Sequence, residues 1–105
     1  MSERNPSILE RGQSKWFKYF GEQIPNQVFI QNLSTQHVAN YIVYSGKGVE
    51  GWSFYGSVEP NSTASIWVHW TLTIARFSNN SVEDAAITIG GDGIFPAQPP
   101  PESEE

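Results

Sequence analysis

From Ala64 to Ile74 the chain keeps a period of two: Ala64, Ile66, Val68, Trp70, Leu72 and Ile74 are apolar, and Ser65, His69, Thr71 and Thr73 fill most positions between them. That period belongs to a β-strand with one buried face, not to a helix. No Gly or Pro interrupts residues 64–77. The pattern therefore predicts one long strand, or two joined by a bulge, spanning roughly 40 Å at about 3.3 Å per residue. Its even-numbered side chains, Trp70 among them, are expected on the core.

Shorter runs of the same kind flank it. Val28, Phe29, Ile30 and Leu33 predict a first strand, closed by Asn32, Ser34 and Thr35, and Val38 to Tyr44 predict a second, ended by the turn residues Ser45-Gly46-Lys47-Gly48. Trp52, Phe54 and Val58 mark a third, stopped by Pro60-Asn61. Beyond the long alternation, Ser78-Asn79-Asn80-Ser81 reads as a turn, Ala85 to Ile89 as a strand, and Gly90-Gly91-Asp92-Gly93 as a tight loop before Ile94-Phe95.

The two ends read differently. Asn5-Pro6 has the form of a helix cap followed by the first helical residue, and Ser7 to Phe20 could make about three turns before Gly21. The crowding of Trp16, Phe17, Tyr19 and Phe20 between and beside Lys15 and Lys18 equally suits a short strand or an extended arm, with the aromatics plugging a sandwich face. Pro96 to Glu105 holds four prolines, three glutamates and only Ala97 as an apolar residue, a composition expected to be disordered or polyproline-like. The organisation read from these signals is a basic, aromatic arm or short helix over residues 1–22, a β domain over 23–95 and a tail over 96–105.

Five to seven short strands with turns about every ten residues predict an all-β fold, a small antiparallel β-sandwich or flattened barrel. The count falls short of a jelly roll, and the Cys pair of an immunoglobulin domain is missing. At 105 residues one core is expected. The complete lack of cysteine leaves stability to packing and hydrogen bonds, as in a reducing compartment. With neither a leader-like segment nor a long apolar run, the reading is cytoplasmic synthesis without a signal peptide and no transmembrane segment, with a virion or leaderless extracellular destination open.

Charge sharpens the functional reading. The net charge is −5, yet residues 1–18 carry Arg4, Arg11, Lys15 and Lys18 against Glu3 and Glu10, so the rest of the chain is strongly acidic and nucleic acid is not an expected partner. Three of those acids, Glu102, Glu104 and Glu105, lie in the tail, which leaves the β domain poor in charge of either sign.

Candidate chemistry is sparse. His37 and His69 are the only imidazoles and sit on different strands or strand edges, and no nucleophile elbow, zinc-binding helix motif or phosphate loop occurs. Glu83, Asp84 and Asp92 are too few to specify a calcium site, so no metal, cofactor or catalytic residue is assigned. Asn32-Leu33-Ser34, Asn61-Ser62-Thr63 and Asn79-Asn80-Ser81 match the glycosylation acceptor pattern but read as turn and cap chemistry.

What remains is a set of aromatic contact candidates: Trp16, Phe17, Tyr19, Phe20, Trp52, Tyr55 and Trp67, with His69 on the polar side of the long strand. A charge-poor Ser/Thr/Asn-rich surface with exposed aromatics loses little desolvation energy when covered by a partner. The expectation is a non-catalytic interaction protein, a homo-oligomer of coat, decoration or scaffold type, in which the basic arm docks on a neighbour. The alternative is a lectin-like or membrane-surface-binding module whose aromatics meet glycan rings or lipid headgroups.

Overall fold

Odd and even side chains part company along most of the strands, and the direction of the split places those strands in the fold. In a computed structural model, residues 7–21, 26–45, 52–68 and 74–98 are described. They form nine strands: β1 (Ser7–Leu9), β2 (Ser14–Tyr19), β3 (Asn26–Asn32), β4 (Ala39–Ser45), β5 (Trp52–Val58), β6 (Thr63–Val68), β7 (Ile74–Asn79), β8 (Ile87–Gly90) and β9 (Ile94–Ala97). The protein is all-β, with two antiparallel sheets ordered β1-β8-β3-β6 and β5-β4-β7-β2-β9.

The pairing is nested. β4 pairs with β5, β3 with β6, β2 with β7 and β1 with β8, all antiparallel. A chain paired in that way is one long hairpin with its tip between β4 and β5, and rolling it up deals its strands alternately to two sheets. This is the eight-strand jelly-roll arrangement of a β-sandwich, extended here by β9 on the free side of β2. The strand count expected from sequence was too low because β1, β2 and β9 lie in segments whose patterns are short or crowded.

The core forms between the sheets. Val28 and Ile30 of β3, Ile87 and Ile89 of β8 and Leu9 of β1 face Phe17 and Tyr19 of β2, Ala75 and Phe77 of β7, and Tyr41 and Val43 of β4. Phe17 and Phe77 meet edge to face, with centroids 5.3 Å apart and planes at 89°, an arrangement favoured by the ring quadrupole. Tyr41 lies over Gly56, its cross-strand partner, where a Cβ would collide with the phenol. Burial raises the Tyr41 hydroxyl above its ordinary pKa.

Three expectations are revised. Ser7 to Phe20 is not a helix: β1 and β2 are integral strands, and Phe17 and Tyr19 plug the core of their own domain. The long alternation is not one strand. Ala64, Ile66 and Val68 face inward from the four-stranded sheet, whereas in β7 the inward residues are the odd-numbered Ala75, Phe77 and Asn79 of the other sheet. Crossing between sheets exchanges the parity that points at the core; Trp70 and Leu72 lie outside the described residues. Finally, Pro96 and Ala97 are not tail but part of β9, opposite Phe17 and Trp16.

The β8–β9 turn requires a glycine. Gly93 has φ +80°, a Cβ there would lie 2.8 Å from the Phe20 carbonyl oxygen, and the Gly93 carbonyl accepts the Phe20 N–H at 2.7 Å. Gly93→Ala is expected to cost roughly 1–3 kcal/mol, from left-handed strain and the backbone clash. Thermal unfolding checks this against Gly12→Ala, where φ is +85° but nothing lies within 4 Å of the new Cβ; the Gly93 variant should be the less stable.

Candidate functional site

The connections β1–β2, β3–β4, β5–β6 and β7–β8 meet at one end of the sandwich, and two buried asparagines tie them together. Asn32, at the end of β3, donates through Nδ2 to the carbonyls of His37 (2.8 Å), Val58 (3.0 Å) and Glu59 (3.2 Å), while its Oδ1 accepts the Ser34 N–H. Asn79, at the end of β7, donates to the carbonyls of Leu9 (3.0 Å) and Ala85 (2.8 Å) and accepts from the Ser81 N–H and hydroxyl. Arg11 adds bonds to the carbonyls of Ser81 and Val82. Both asparagines are 1% exposed. The Asn32 and Asn79 acceptor motifs are therefore structural clamps, whereas Asn61 sits exposed in a left-handed turn at φ 59°.

Beside these clamps, Leu33 to His37 together with Asp84 and Ala86 line a shallow depression of about 390 Å³. Ser34 Oγ accepts the N–H groups of Gln36 and His37, so the loop is held by its own hydroxyl. A ligand pocket is typically enclosed and mostly apolar; this one is a polar hollow between loops. Among the described residues no group of three His, Asp or Glu side chains is placed to hold a metal ion.

The two outer sheet faces differ in kind. On the five-stranded sheet, Trp16, Arg76 and Tyr44 lie side by side on adjacent strands. The guanidinium carbon is 5.8 Å from the Trp16 ring and 5.4 Å from the Tyr44 ring, and the two rings meet edge to face at 6.3 Å. Lys18 follows on β2, its ammonium 5.4 Å from the Phe20 ring, which packs on Phe95 at 5.7 Å. This face is aromatic and cationic.

The outer face of the four-stranded sheet carries no ionisable side chain among the described residues. Its outward positions are Ile8, Thr88, Gln31 and Thr63 in one row, Gly90, Phe29 and Ser65 in the next, and Gln27 beside Trp67 in a third. Ile8, Phe29 and Trp67 are large and exposed, Trp67 by 62%. The described carboxylates Glu10, Glu59, Glu83, Asp84 and Asp92 all fall in connections, none in a strand. Among the described residues acid is thus confined to the rims of the sandwich and absent from both faces.

The sequence-derived candidates divide accordingly. Trp16, Phe20 and Tyr55 belong to the surface of the five-stranded sheet and its border, and Trp67 to that of the other, while Phe17 and Tyr19 are core residues. Trp52 pairs with Ser45 through its backbone, and its side chain lies outside the description, as does His69 entirely. Sequence reading missed Tyr44 and Arg76. The signal for Arg76 was a lone cation in a strand otherwise free of charge. No helix among the described residues is long and apolar enough to cross a membrane. Comparison of the chain with protein-family models, with curated proteins and with solved structures finds no match.

Proposed function

We propose that this protein is a non-catalytic, self-assembling structural component of coat, decoration or scaffold type, built on a jelly roll. The observation that carries the reading is the outer face of the four-stranded sheet, which has no ionisable side chain among the described residues and exposes Ile8, Phe29 and Trp67. An exposed sheet face of this composition resembles the core of an interface, poor in charge and rich in aromatics. Covering it costs no buried charge, and it returns the hydrophobic free energy of three large side chains.

Since β1 and β2 fold onto their own domain, association need not depend on a basic arm reaching an acidic neighbour. Light scattering at micromolar concentration is expected to give a mass above 11.7 kDa that persists in high salt, because contacts between uncharged faces are not screened. Introducing charge through Trp67→Glu should shift the population toward monomer. A monomer at every concentration and salt would overturn the proposal.

A second reading has its own support in the Trp16–Arg76–Tyr44 cluster, a rigid aromatic and cationic platform suited to glycan rings or anionic headgroups. It predicts retention of the protein on glycans or anionic vesicles that Trp16→Ala abolishes while the oligomer remains intact.

A further inference from the structure

The four sheet edges are not equally protected. β1 is three residues long, and β9 carries Pro96, which lacks an N–H; short strands and proline both deter pairing. β5 and β6 are longer and contain neither charge nor proline, but β5 has Gly56 near its middle, which weakens a strand. β6 also leaves its inner side incompletely covered: Ala64 and Ile66 pack against the core yet are only partly buried. Among the described residues no strand lies beyond β6.

The hydrogen-bond phase of β6 follows from its neighbour. The Asn32 N–H donates to the Ser62 carbonyl at 2.9 Å, so with Gln31 opposite Thr63 the even residues of β6 bond to β3. Backbone groups alternate along an antiparallel strand. The N–H and C=O groups of Thr63, Ser65 and Trp67 therefore point away from the sheet, and no strand among the described residues pairs with them.

We infer that the β6 edge is the site at which a second copy of this chain adds, antiparallel, about a two-fold axis through Ser65. This rests on the self-assembly reading above and adds an edge contact to the face contact proposed there. In that register Ser65 faces Ser65 of the second copy, Thr63 faces Trp67, and Ala64 faces Ile66. The free edge groups pair completely, giving about six inter-strand hydrogen bonds. Each large side chain meets a small one: Trp67 lies over Thr63 on the outer face, and Ile66 fills the space beside Ala64 on the inner. The two uncharged outer faces join into one continuous eight-stranded sheet, with no charged group brought to the seam. An isologous interface needs this kind of self-complementarity.

Three substitutions at Ser65 test the inference in the full chain. Ser65→Pro removes an N–H that β3 does not use, and proline is tolerated where the N–H faces outward from an edge; the mass from light scattering should fall while the circular dichroism of the fold is kept. Ser65→Lys sets two ammonium groups opposite each other and should give the same fall, which covers the case in which the proline variant does not fold. Because the chain has no cysteine, Ser65→Cys under mild oxidation should yield a covalent dimer, and Tyr55→Cys on the β5 edge should not. A mass left unchanged by both Ser65→Pro and Ser65→Lys, or crosslinking at Tyr55→Cys but not at Ser65→Cys, overturns the β6 contact and leaves self-assembly standing. A wild-type monomer overturns both.

Discussion

Replacing Asn79 with alanine is expected to lower the unfolding free energy by about 3–4 kcal/mol, far beyond the usual effect of a polar substitution at a strand end. The side chain is 1% exposed, donates to the Leu9 and Ala85 carbonyls and accepts twice from Ser81. Alanine would remove a donor from two buried carbonyls and the acceptor from a buried N–H, each loss costing about 1–3 kcal/mol before remaining bonds, relaxation or entering water offset part of it. The adjacent Asn80 is exposed and contributes its backbone N–H, which bonds to the Asn40 carbonyl. Asn80→Ala should therefore stay within about 0.5 kcal/mol. Urea unfolding of the two variants decides the matter: equal midpoints would show that the clamp carries no stability.

Phe77→Ala is expected to cost about 3–5 kcal/mol, the range for a buried aromatic whose site cannot collapse. Phe77 lies on a central strand with β4 on one side and β2 on the other. Its ring and that of Phe17, both at most 1% exposed, meet edge to face across neighbouring strands. Phe17→Ala should be comparably damaging, and the double variant should lose less than the sum, by about 0.5–1.5 kcal/mol of ring–ring coupling. Strict additivity in the cycle would mean that the two rings contribute only their separate burial.

The strands from Asn26 to Val58 were legible because alternation there is bounded by turn residues, and a sandwich follows from that rhythm. The break between β6 and β7 was hidden because neither Gly nor Pro marks it and the even-numbered apolar set runs on through Trp70 and Leu72. β2 was obscured by composition: with Trp16, Phe17, Tyr19 and Phe20 all aromatic, period two cannot be seen until Phe17 and Tyr19 are found inside. Pro96 concealed β9, since proline argues against a strand unless the strand lies at an edge, which is where β9 is. The clamps left a faint trace, the tripeptide Asn-x-Ser at the ends of β3 and β7, but burial separates them from Asn61 and sequence does not show burial. Of the surface candidates, single aromatics such as Trp67 could be proposed from register, whereas the Trp16–Arg76–Tyr44 cluster joins strands distant in sequence and needed the sheet order.

The nested pairing also dictates an order of assembly in time. The pairs nearest the hairpin tip, β4 with β5, close the shortest loop, and each outer pair must close a longer one; Ser7 waits for Ile89, and Trp16 for Ala97. At about 5–20 residues per second, a ribosome emits the roughly 80 intervening residues in about 4–16 s. Through nearly all of that interval β1 has no partner, and β2 has none until β7 emerges; the domain cannot close before its final strand emerges. The fold should zip from the middle of the chain outward, so φ-values should be high in β4 and β5 and near zero in β1 and β9. Refolding in the millisecond-to-second range typical of non-local β topologies would accompany it.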